Sequence, residues 1–176
     1  MKNRKNEKRK QVYQYNTMSV SNIFGLDANV YTITYPNQPN IDLDEELISI
    51  SGFMHTCRNE QVIPISEQEI RYPQLQMIMK YMNLCKQYNQ CKDVSIIKQP
   101  LCSTNILDVG QDGLPTEIIQ YALDLYQSHG ILNVYELINV CNYLSINGFM
   151  RLLCALVASL IKDKPMSSVT TILSPL

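Results

Sequence analysis

The chain has 176 residues, fifteen Lys or Arg against sixteen Asp or Glu, and a formal net charge of −1. That length and an apolar share of 45% agree with one small globular domain that has enough side chains for a core. A membrane-spanning helix is excluded: the longest apolar run, Leu152 to Ile161, contains Ser159 and falls short of the roughly 18 residues required.

Charge is concentrated at the start. Lys2, Arg4, Lys5, Lys8, Arg9 and Lys10 oppose Glu7 alone, leaving nine basic and fifteen acidic side chains in the rest, a net of about −6. No apolar segment follows this run, so it does not read as a secretory signal, and cytoplasm or nucleus is the expected location. Residues 1–28 are expected to form a solvated arm with little fixed structure. A short basic arm can also bind phosphates through counterion release, without base specificity.

Further along, Ile41 and Leu43 alternate with Asp42 and Asp44, and Leu47, Ile48 and Ile50 lead into a short segment ending near Cys57. Ile70 to Tyr88 reads as a helix. Pro73 suits its first turn, and Leu75, Ile78, Met79, Met82 and Cys85 share one face. Residues 91–115 hold Pro100, Gly110, Gly113 and Pro115 and read as an irregular linker, yet Val94, Ile96, Ile97 and Leu101 give it apolar material to pack. Ile118 to Gln127 reads as another helix, with Ile119, Ala122, Leu123 and Tyr126 on a face.

Two apolar periodicities then meet at one turn. Val134, Leu137, Ile138, Cys141 and Leu144 form one face, and Phe149, Leu153, Leu156 and Leu160 form the next. Ser145-Ile146-Asn147-Gly148 lies between them, with the left-handed position expected at the glycine, so the unit is a helical hairpin. Leu152, Val157 and Ile161 widen the second stripe until only Arg151, Ser159 and Lys162 suit water. Such a helix needs cover on two sides, one from its own core and one open to a partner.

Catalytic and metal-binding signals are weak. His55 and His129 have no acidic or thiol neighbour at a ligand spacing, and the six cysteines contain no C-x-x-C. Cys141 and Cys154 are expected as small core hydrophobes, and disulfides are not expected in an intracellular setting. No phosphate-cradling glycine loop or nucleophile elbow is present. The expectation is a binding module with no enzymatic activity, no cofactor and no metal.

The run from Glu136 to Lys164 resembles the Skp family, the S-phase-kinase-associated adaptor subunits of SCF ubiquitin ligases. Glu136, Leu137, Ile138, Asn142, Tyr143, Leu144, Ile146, Gly148, Cys154, Val157, Ala158, Ile161 and Lys164 match the family pattern in register. Asn139-Val140-Cys141, Ser145 and Asp163 depart from it. Upstream, Val62-Ile63-Pro64-Ile65 is similar to the family's proline-bearing strand, and the resemblance extends more weakly from Asn29 to Ile172. Family adaptors continue into a charged final helix, of which Lys164 to Leu173 keeps only the outline. Here β-branched residues weaken that helix, Ser167 or Ser168 is available as a cap, and Pro175 stops it.

The resemblance implies an α/β fold. A BTB/POZ-like part, with strand, short helix, strand and helix in that order, would occupy residues 29–90, and C-terminal helices with a shortened tail would occupy 116–176. It also implies a cullin face at Asn142 and Tyr143, and an F-box groove to which Leu153, Leu156, Val157, Leu160 and Ile161 contribute. The partners so implied are a cullin and an F-box protein or other substrate receptor. Rival expectations are a diverged BTB-type protein that competes for cullin or forms a homo-oligomer, and a nuclear subunit whose basic arm meets nucleic acid.

Overall fold

The computed structural model describes residues 30–88, 97, 101, 103–108, 110 and 114–174. The expected basic arm therefore lies outside the described residues, as does most of the linker. The fold is mixed α/β, a small three-stranded sheet with helices making up most of the rest.

Strand β1 is Tyr31–Thr34, β2 is Ile41–Leu43 and β3 is Val62–Pro64, in the order β2-β1-β3. β1 runs antiparallel to β2, with Tyr31 opposite Leu43, and parallel to β3, with Ile33 opposite Ile63. Tyr31 and Ile33 are buried while Thr32 and Thr34 are half-buried, the period-two pattern of a sheet with one face on the core. On β3 only Ile63 is buried, and Pro64, which has no N–H to donate, sits on an edge strand.

The chain between β2 and β3 forms two short helices, α1 (Glu45–Ile50) and α2 (Gly52–Thr56). Asp44 caps α1 by accepting from the Leu47 N–H at 3.0 Å, and it is ion-paired to Lys86. Ser51 caps α2 by accepting from the Met54 N–H at 3.1 Å.

Helix α3 (Tyr72–Tyr88) buries Leu75, Ile78, Met79, Met82 and Cys85, the face expected from its spacing, together with Gln74 and Tyr81. Cys85 is disulfide-bonded, contrary to the expectation of reduced thiols, which rested on compartment and not on geometry. Ile97 is buried and Leu101 half-buried, so these two linker residues pack as their apolar character suggested, and Ile106, which was not singled out, is buried as well.

Helix α4 spans Thr116–Tyr143 and breaks at Gly130, whose φ of 75° and ψ of 179° are not helical. Its first half buries Ile118, Ile119, Tyr121, Ala122 and Leu125, whereas Leu123 and Tyr126 are only half-buried. Helix α5 (Asn147–Ile161) packs closely against α4, and α6 (Met166–Leu173) follows. In α5 two expectations are reversed. Ser159 is buried, its hydroxyl donating to the Leu156 carbonyl at 2.8 Å, and Cys154 is exposed. The buried face is centred on Leu152, Ala155, Leu156 and Ser159, a rotation of the stripe that a hydroxyl with a local acceptor tolerates.

Tyr81 ties the layers together. Its ring stacks on Phe149 of α5 at 4.0 Å between centroids and 10° between planes, and Tyr121 of α4 lies 6.2 Å beyond. The Tyr81 hydroxyl is buried without a partner, and burial pushes its ionisation well above the ordinary tyrosine range. Among the described residues no helix is long and apolar enough to cross a membrane.

Two outcomes test this description. A side chain at Gly130 would meet nothing within 4 Å, so Gly130→Ala should destabilise the protein by about 1–3 kcal/mol through backbone strain alone, measured by urea denaturation. The Asp44 carboxyl is held below its ordinary pKa of 3.8, first by its bond from Lys86, against a smaller opposing effect of burial. A depressed carboxylate contributes stability above the unfolded pKa and loses it as pH falls through the folded one. Asp44→Asn should therefore show a shallower loss of stability below about pH 4 than the native chain, in denaturation series at several pH values.

Candidate protein-docking surface

The turn between α4 and α5 is built differently from the sequence expectation. Leu144 closes α4 and Ser145 takes the left-handed conformation, with φ of 55°, while Gly148 is buried in the first turn of α5. The Ile146 N–H reaches the Cys141 carbonyl at 2.8 Å and the Ser145 N–H reaches Asn142 at 3.1 Å, the two bonds of a Schellman closure. Ile146 and Cys141, both fully buried, supply its apolar contact. The closure needs one left-handed residue directly after Leu144, and at that point the sequence has serine, so glycine spacing pointed three residues too far.

The start of α2 meets this corner head-on. The Ser51 hydroxyl donates to the Leu144 carbonyl at 2.6 Å, the Phe53 N–H donates to the same carbonyl at 3.2 Å, and the Gly52 N–H donates to Ser145 at 3.2 Å. Free N–H groups at one helix start thus satisfy free carbonyls at another helix end, as backbone polar groups in contact must. The approach is close enough that a Cβ on Gly52 would lie 2.9 Å from that of Ser145.

Asn142 and Tyr143, the expected cullin-facing pair, both stand exposed on this corner. Tyr143 is 41% exposed but not loose. Its ring lies 5.3 Å from that of Phe53, tilted by 36°, and its hydroxyl donates to Glu69 Oε1 at 2.9 Å. Glu69 Oε2 in turn accepts from the Ser66 hydroxyl at 3.0 Å and the Ser66 N–H at 3.3 Å, while the Glu69 N–H closes the turn onto the Ser66 carbonyl at 3.1 Å. The Tyr143 bond, then those from Ser66, hold the Glu69 carboxyl below its ordinary range. Partial burial, then the bond to Glu69 and its charge, raises the Tyr143 hydroxyl. Beside Glu69 opens a cleft of about 920 Å³ between residues 34–40 and 64–69.

The five residues expected in an F-box groove divide. Leu153 and Leu156 lie fully within the chain's own core, whereas Val157, Leu160 and Ile161 are half-buried. Helix α6 buries none of its residues and exposes Met166 to 79%. Its first helical turn follows Pro165 without a side-chain cap, so neither Ser167 nor Ser168 takes the capping role; Thr170, Thr171 and Ser174 bond back to carbonyls four residues earlier. Between α6 and the break in α4 lies a second cleft, of about 420 Å³, lined by Tyr126, His129, Gly130, Leu132 and Ile172 among others. The two sets of expected residues are thus on different parts of the helical unit: the Asn142–Tyr143 pair at the α4–α5 turn, and the half-buried set near the end of α5.

Glu69, Phe53 and Ser51 were absent from the sequence expectation. The Ser66-x-x-Glu69 spacing hinted at a local bond between the two, but nothing local links it to Tyr143, 74 residues away. Among the described residues no cluster of three or more His, Cys, Asp or Glu is gathered as a metal site. No protein-family model matches the chain, and no curated protein matches it.

The contact between Gly52 and Ser145 gives a test. Gly52→Ala should destabilise by about 1–3 kcal/mol through overpacking. Ser145→Gly removes both the facing Cβ and the left-handed strain, so it should be neutral or stabilising by up to about 1 kcal/mol, and should recover most of the loss in the double variant. Additive effects in urea denaturation would contradict the contact.

Proposed function

We propose that this chain is a non-enzymatic, Skp-like adaptor that links a cullin to a substrate receptor in ubiquitin-dependent protein degradation, in the cytoplasm or nucleus. The reading begins with the in-register resemblance from Glu136 to Lys164. The observation that carries it is the presentation of Asn142 and Tyr143. Of the residues the resemblance assigns to partners, these two stand exposed at a corner braced by three backbone-directed bonds from α2. A braced, exposed tyrosine offers apolar area with a polar tip, which suits an interface anchor.

The three-stranded sheet, its short helices and α3 supply the mixed α/β frame that a BTB/POZ-like reading requires, and that finer assignment is part of the proposal. The mechanism is positional. Holding a receptor and its substrate on a cullin raises their effective concentration at a ligase whose chemistry belongs to other subunits. Val157, Leu160 and Ile161 are the proposed receptor-facing residues, with Leu153 and Leu156 supporting them from the core.

A second reading is favoured by α6. With eight residues and none buried, it covers little, so a BTB-type protein that occupies cullin without a receptor, or that pairs with itself, also fits. Nucleic acid is not a proposed partner of the described residues.

The decisive experiment is calorimetric titration of a recombinant cullin N-terminal domain. Asn142→Ala with Tyr143→Ala should weaken binding by about 2 kcal/mol or more while circular dichroism stays native. Native affinity in the double variant removes these residues from the interface, and no binding by the unaltered chain removes the adaptor reading. An F-box peptide titrated into the preformed complex separates the two readings, since only the adaptor retains it.

A further inference from the structure

We propose that Glu69 is a positioning residue that fixes Tyr143 in one orientation before any partner arrives, so that the docking corner is preset. The proposal deepens the adaptor reading and rests on it only for what binds there. An exposed tyrosine on a helix end samples several rotamers, and a partner that uses it must freeze one. Here the ring is restrained from two sides. Phe53 faces it at 5.3 Å, and Glu69 Oε1 accepts a hydrogen bond from its hydroxyl at 2.9 Å. Fixing both the ring and its tip leaves little freedom about either side-chain torsion.

The carboxylate is itself held. Its other oxygen accepts from the Ser66 hydroxyl and N–H, so Glu69 cannot swing away without breaking both of those bonds. Ser66 and Glu69 belong to the turn between β3 and α3, whereas Tyr143 ends α4 and Phe53 belongs to α2. Two separate segments therefore converge on one side chain of a third. The bond to an ionised acceptor is also the stronger kind, which matters at a site that water can reach. Glu69 borders the 920 Å³ cleft as well, so a direct contact with a partner is the alternative role that the test must separate.

The first measurement needs no partner. In the full chain with ¹³C-labelled tyrosine rings, Glu69→Ala should change the Tyr143 ring signals toward rotamer averaging and lower the pH at which its hydroxyl titrates. The direction follows because an anionic acceptor favours the protonated phenol; partial burial and the nearby Cys57 thiol remain in the variant. Glu69→Gln keeps an acceptor without the charge, so it should restore the ring order and only part of the raised titration. Ser66→Ala should loosen the ring partly.

The second measurement uses the recombinant cullin N-terminal domain. Glu69→Ala should weaken binding about two- to tenfold, the entropy of ordering one such side chain, and should have no further effect in a Tyr143→Phe background. Unchanged Tyr143 signals and titration in Glu69→Ala overturn the proposal. So does an equal loss of affinity in both backgrounds, which would make Glu69 a direct contact. If the unaltered chain does not bind the cullin domain, the adaptor reading fails while the ring measurements still decide the positioning role.

Discussion

The end of α4 and the start of α2 complete each other, and the exposed corner depends on that contact. Helix ends leave carbonyls and N–H groups without intrahelical partners, and burying them unpaired is unfavourable by roughly 1–3 kcal/mol each. Here Leu144 and Ser145 accept from Ser51, Gly52 and Phe53, so one set of orphan groups is satisfied by the other. The consequence reaches past the bonds. The contact fixes α2 beside Tyr143, brings Phe53 under its ring, and leaves the Asn142–Tyr143 edge pointing outward.

Directly behind the corner lies the aromatic stack. Phe149 is the third residue of α5, so the chain passes from an exposed edge to the centre of the core within six residues of Tyr143. Tyr81 from α3 and Tyr121 from α4 flank it, and the Tyr121 hydroxyl returns to the Met77 carbonyl at 2.9 Å. The unpartnered Tyr81 hydroxyl is the imperfection in this arrangement. Burial of the ring and its contact with Phe149 are favourable, and leaving the hydroxyl unsatisfied is unfavourable by roughly 1–3 kcal/mol.

What could be read from the sequence follows the physics of periodicity. The α3 face was legible because Leu75, Ile78, Met79, Met82 and Cys85 repeat at helical spacing, and β2 because Asp42 alternates with apolar neighbours. Strand β1 was passed over, although Tyr-Thr-Ile-Thr before Pro36 and Asn37 is a β-rich alternating run ending in turn residues. Ser145 was hidden because serine gives no hint of a left-handed backbone while Gly148 nearby does. Ser159 and Cys154 exchanged their expected surroundings because a serine hydroxyl finds an acceptor inside its own helix. In the candidate site, Asn142 and Tyr143 were named from the motif, but Glu69 was not. A contact between segments 74 residues apart leaves no local trace.

Gly130 adds a matter of leverage. An unbroken helix of the 28 residues assigned to α4 would be a rod of about 42 Å, longer than the roughly 30 Å across a small domain. The break lets both halves follow the same core. It also makes the second half an arm about 20 Å long, pivoting at a residue with no side chain and carrying Tyr143 at its far end. A change of only about 10° at the pivot would move that tip by about 3 Å. The bonds from α2 therefore act where the lever is longest, and a single glycine far from the corner shares control of where the corner stands.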